Sequence, residues 1–81
     1  MRTGVEPRFV KKNKAVYTAK ELPVNHGFGN KYPIAQDAKG YVVSDGFEAG
    51  MLRVLFSLHQ GNERVQFNAE SARHYLECDP Y

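Results

Sequence analysis

Three groups of residues in this 81-residue chain have the types and spacing to do chemistry. The first is His74 and Cys78, four residues apart in a stretch with helical periodicity. On a helix such a pair shares one face, and an imidazole beside a thiol can ligate a metal ion or act as base and nucleophile. Two points oppose both roles. A cysteine at a helix C-terminus meets the negative end of the dipole, which disfavours the thiolate. Further ligands would have to come from His26 or His59, which stand at no recognisable metal-ligand spacing. Cys78 is also the only cysteine, so neither an intramolecular disulfide nor a multi-cysteine zinc cluster can form.

The second group is basic. Arg8, Lys11, Lys12 and Lys14 crowd one short stretch, with Arg2 and Lys20 nearby. Clusters of this kind bind phosphate backbones by releasing counterions, with no need for a particular base. Phe9 and Tyr17 are interleaved with them and would stack on bases if they faced outward. The competing reading is a solvated turn with both aromatics in the core, or a basic edge that complements acids elsewhere in the chain.

The third group is the loop Asn25–Tyr32, in which Gly27 and Gly29 allow close backbone approach. Its His26, Phe28, Lys31 and Tyr32 offer stacking, cation–π contacts and hydrogen bonds. The Gly27-Phe28-Gly29 run lacks the third glycine and the preceding strand of a dinucleotide loop, so no cofactor is implied. The competing reading tucks Phe28 into the core. The acids Glu63, Glu70, Glu77 and Asp79 need no partner: Glu70, Arg73 and Glu77 are spaced for ordinary intrahelical pairs.

Charge is split along the chain. Residues 1–40 hold eight Lys/Arg against three acids, and residues 41–81 hold three Arg against six acids, so halves of +5 and −3 make up the net +2. Such asymmetry speaks to partners rather than to fold. The basic side has no local explanation, because four cations near one turn repel one another.

The elements that must position these groups are short. Met51–His59 alternates as a strand, with Leu52, Val54, Phe56 and Leu58 on one face and Arg53, Ser57 and His59 on the other. A turn at Gln60–Glu63 leads to a second strand, Arg64–Asn68, with Val65 and Phe67 facing in. Asn68 then stands as N-cap of a helix of roughly nine residues that Asp79-Pro80 would stop. Its apolar stripe is Ala69, Ala72, Tyr75 and Leu76. Arg8–Lys11 and Lys14–Ala19 read as a hairpin about Lys12-Asn13. Lys31–Gln36 and Tyr41–Ser44 read as another, with Gly40 in the left-handed position of its turn; this is favoured over a short helix across Pro33–Lys39.

The sum is one compact domain, residues 1–81, of α+β (mainly β) class: five to six short strands in a small antiparallel sheet or barrel, with one C-terminal helix packed on it. Its 42% hydrophobic residues and ten aromatics suffice for one core, although a chain this short buries only about 60–65% of its unfolded surface. No apolar run is long enough to span a bilayer, no signal peptide is evident, and the lack of disulfides suits a cytoplasmic location. The expected function is a non-enzymatic binding module that contacts nucleic acid or a nucleoprotein. Arg8, Lys11, Lys12, Lys14 and Lys31 would touch phosphates, and Phe28 and Tyr32 would stack. The alternative is a small protein-interaction domain, such as an inhibitor or adaptor of a phage or mobile element, able to self-associate as a homodimer.

Overall fold

The computed structural model of the chain describes residues 2–6, 10–24 and 27–79. Its strands are β1 (Thr3–Gly4), β2 (Ala15–Thr18), β3 (Lys39–Val42), β4 (Met51–Leu58), β5 (Gly61–Asn68) and β6 (Leu76–Cys78), and one helix, α1 (Ala69–Tyr75), separates β5 from β6. The six strands form a single antiparallel sheet in the order β1-β6-β2-β3-β4-β5. This is the expected mainly-β α+β architecture. Because β1 and β5 stand at opposite ends of that order, the sheet is open rather than closed into a barrel.

The β4–β5 hairpin follows from its alternation. Leu52, Val54, Phe56, Val65 and Phe67 are buried on one side, and Arg53, Ser57, Arg64 and Gln66 are exposed on the other. Its turn lies at His59-Gln60, not at Gln60–Glu63. Gly61 takes a φ of 132° and pairs with Leu58, which frees Asn62 and Glu63 to extend the ladder. A two-residue loop thus satisfies backbone groups that a longer turn would leave unpaired.

Helix α1 is capped as its sequence demands: the Asn68 side chain accepts the Ser71 N–H at 2.7 Å. It ends earlier than expected, at Tyr75, where Leu76 turns to extended geometry (φ −117°, ψ 152°). The chain continues as β6, which slots between β1 and β2 with Glu77 opposite both Gly4 and Tyr17. Ladder partners on both edges, with Leu76 and Cys78 buried on one face, outweigh one further turn of a marginal helix. Consequently His74 and Cys78 do not share a helix face, and Glu77 is no intrahelical partner of Arg73.

Two of the weaker expectations are corrected. The turn at Lys12-Asn13 exists, closed by Lys14 N–H to the Lys11 carbonyl at 3.0 Å, with Asn13 at φ 73°. However, no strand pairs with β2 across it: Val10 and Lys11 are irregular, and Arg8 and Phe9 lie outside the described residues. β2 pairs instead with β3 and β6. Residues 31–44 form neither the expected hairpin nor its helical rival. Ile34 makes a single bridge to Leu22, the turn sits at Gln36-Asp37 with Asp37 at φ 65°, and Gly40 is an ordinary β3 residue. Thr18 organises that turn from the neighbouring strand: its buried hydroxyl donates to the Ala35 carbonyl at 2.7 Å and accepts the Ala38 N–H at 2.8 Å.

The core lies under one face of the sheet. α1 packs against β5, β6, β1 and β4, and irregular segments supply buried Val5, Val10, Leu22, Phe28 and Ile34. The backbone of residues 28–29 runs beside the free edge of β5: Gln66 N–H donates to the Phe28 carbonyl at 2.9 Å. A covered edge is protected from pairing with another chain. Among the described residues no helix covers the opposite face of the sheet, where Tyr41, Arg53, Arg64 and Gln66 are exposed.

Candidate functional site

Alternation alone decides what that uncovered face carries. Inward positions hold Val16, Thr18, Val42, Leu52, Val54, Phe56, Val65 and Phe67, so their neighbours point out. Strand pairing then assembles the outward residues into rows. Tyr17 faces Glu77 on one side and Lys39 on the other. Ala15, Tyr41, Leu55 and Arg64 form the next row, each opposite the one before. Arg53 faces Gln66, and its carbonyl accepts the Val43 N–H at 2.9 Å, which brings exposed Val43 into line.

The result is a sheet face with two tyrosines and the cations Lys39, Arg53 and Arg64, to which Arg2 adds a fourth. The Arg2 guanidinium lies 3.6 Å from the centre of the Tyr17 ring and is tied to Asp37 and, at 3.2 Å, to Glu77. Tyr41 is 47% exposed, and the Lys39 ammonium lies 5.4 Å from its ring centre. Interaction with the Tyr41 hydroxyl raises the Lys39 pKa above its ordinary value. Arg2 is ion-paired, whereas neither Arg53 nor Arg64 has a carboxylate partner among the described residues. Glu77 is the one acid at an outward strand position.

The residues expected to form the interface scatter. Phe28 is only 5% exposed; its ring packs against Phe67 and Tyr75 with centroids 5.2 Å away in each case, so it is core and cannot stack on a ligand. Lys14 is half-buried, on the same side as Val16 and Thr18 and near Cys78. Lys31 and Tyr32 are exposed, but the Lys31 N–H donates to the buried Glu63 carboxylate, which anchors them beside the inward face of β5. Lys11 and Lys12 are exposed in a turn that Asn13 N–H fastens to the Val42 carbonyl at 2.8 Å. They therefore stand at the Val43 end of β3. Arg8 lies outside the described residues.

Tyr41, Lys39, Arg53 and Arg64 are absent from that expected set. Period-two alternation already puts Arg53 and Arg64 on the solvent side of their hairpin. What joins them to Tyr41 is the β3–β4 register, which no local pattern encodes.

Other reactive groups do not converge. His74 is exposed on α1, where its Nε2 lies 2.8 Å from the Lys20 Nζ, whereas Cys78 is buried in β6, and burial raises its thiol pKa. His59 is exposed at the β4–β5 turn, and His26 lies outside the described residues. Among the described residues no group of three His, Cys, Asp or Glu side chains is placed to hold a metal ion, and no helix is long and apolar enough to cross a membrane. No family model, no curated protein and no solved structure matches the chain.

Proposed function

We propose that this protein is a non-enzymatic binding module that takes single-stranded nucleic acid on the uncovered face of its sheet. One observation carries the reading: Tyr41 lies opposite Leu55 and in one row with Arg64, flanked by Lys39 and Arg53, on a face whose strand positions hold a single acid, Glu77. Unstacked bases need flat aromatic surfaces, and the backbone that joins them needs cations at intervals. An open sheet face can meet both needs at once. A duplex hides its base faces and gains nothing from Tyr41. Lys11 and Lys12 extend the positive field past the end of β3.

Fluorescence anisotropy with labelled single-stranded RNA, single-stranded DNA and their duplexes, at two salt concentrations, tests this. Either single strand should bind more tightly than its duplex. Three neutralised phosphates give a slope of log affinity against log salt of about −2. Absence of binding to every oligonucleotide at low salt rejects the reading. A stoichiometric protein partner that survives nuclease treatment would then establish the protein-interaction alternative, for which half-buried Leu55 and exposed Val43 supply the apolar contact.

A further inference from the structure

A groove of about 290 Å³ opens on the same face, between Val43 just beyond β3, Arg53 of β4, residues 64–66 of β5, and Phe28 and Gly29. Its volume falls just below the ~300–1,000 Å³ typical of ligand sites, room for one small ligand and too small for a folded partner. The lining is selective. Arg53 and Arg64 sit on adjacent antiparallel strands, diagonal to each other across the Arg53–Gln66 and Leu55–Arg64 pairs. Two guanidiniums without carboxylate partners offer forked donors suited to a phosphate. The Gln66 side-chain amide makes no hydrogen bond among the described residues and can both donate and accept. Val43, 38% exposed, adds an apolar patch.

The wall along the β5 edge is backbone. Gly29 holds a φ of 90°, and a Cβ there would sit 3.6 Å from the Arg64 carbonyl oxygen. That contact is an ordinary one, so it is the positive φ that favours glycine here. Among the described residues that line the groove none is acidic.

We infer that this groove is a nucleotide subsite: Arg53 and Arg64 hold the phosphate, Val43 supports the base, and Gln66 hydrogen-bonds the base edge. The inference rests on the reading of the sheet face as a nucleic-acid surface. It adds that one position of the strand is bound as a unit and read by an amide, whereas Tyr41 stacks on any base.

NMR titration of the full chain with 5′-mononucleotides, unphosphorylated nucleosides and inorganic phosphate separates the two claims. Mononucleotides should give saturable shifts confined to Gly29, Val43, Arg53, Arg64 and Gln66. Inorganic phosphate should bind more weakly at the arginines, and nucleosides at least tenfold more weakly than nucleotides. R53Q/R64Q should lose saturation while keeping native peak dispersion, and Gln66→Ala should flatten any difference among the four bases. Shifts spread over all lysines without saturation overturn the subsite, as does equal affinity of nucleoside and nucleotide. Oligonucleotide binding that persists when mononucleotides fail overturns the subsite alone. Saturable mononucleotide binding with no oligonucleotide binding overturns the strand reading and leaves a nucleotide site.

Discussion

Gly40 in β3 and Phe56 in β4 face each other so closely that one more carbon does not fit. A Cβ on Gly40 would lie 2.8 Å from two Phe56 ring atoms and 2.9 Å from Val54 Cγ1. The absent side chain thus has a packing role, letting the largest buried ring of the core lie against the backbone of its neighbour strand. The same close pairing sets the β3–β4 register, and that register places Tyr41 opposite Leu55 on the other face.

Gly40→Ala should therefore destabilise the fold by about 1–3 kcal/mol, the usual cost of overpacking a filled core. Urea denaturation of the variant and the parent measures it. A neutral substitution would mean that β3 shifts easily against β4, and the binding face would then have no fixed register.

Phe28 and Tyr32 belong to one loop but should behave oppositely. Phe28→Ala empties a site between Phe67 and Tyr75 and should cost about 3–5 kcal/mol. Tyr32, half exposed, should tolerate alanine within about 0.5 kcal/mol. Equal losses in thermal or chemical denaturation would contradict the placement of Phe28 in the core.

Cys78 should make stability fall at alkaline pH. Burial raises its thiol pKa, with the nearby Lys14 opposing in part. An unfolded thiol titrates near about 8.5. Above that pH the unfolded chain loses a proton that the folded chain keeps, so the unfolded state gains. The contribution is intact below about pH 8.5 and declines above it, by at most about 1.4 kcal/mol per pH unit. Urea midpoints at about pH 7.5 and about pH 9.5, on either side of the unfolded value, should separate more for the parent than for Cys78→Ala. Identical separations would show that the thiol is not protected.

On the sheet face, Tyr41→Ala should weaken single-strand binding by roughly 5- to 150-fold, the worth of one stacked base, without a large loss of stability. Lys20→Gln should change affinity less than about twofold, because Lys20 lies beside His74 and Tyr75 on the helix and adds only a distant, screened charge. Anisotropy titrations of both variants at one salt concentration decide between this face and the helix side. Greater sensitivity to Lys20 would move the interface to α1.

The parts of this fold written in local sequence are those stabilised by local contacts. The β4–β5 alternation, the Asn68 cap and the turn at Lys12-Asn13 each need only residues close in the chain, and each is present. Even there the two-residue turn at His59-Gln60 was disguised, because Gly61-Asn62 resembles a turn while serving as strand. Leu76-Glu77-Cys78 shows the opposite case. Its pattern continues a helix as readily as it forms a strand, and only Thr3 and Tyr17, brought from the far end of the chain, settle it as β6.

The amino-acid sequence by itself determined a small, mainly β domain with one helix near its C-terminus, a core drawn from alternating apolar residues, and an excess of cations in its first half. Where those cations point was decided by the tertiary structure alone. Arg2 is spent on Asp37, Glu77 and the Tyr17 ring, Lys14 turns toward Cys78, and Lys31 is tethered beside Glu63. Lys39 instead joins Arg53 and Arg64, two cations from the acidic half, around Tyr41. Charge counted along a chain is blind to this, because a face of a sheet is composed by pairing between strands, and pairing is a long-range choice made by the packing of the other face.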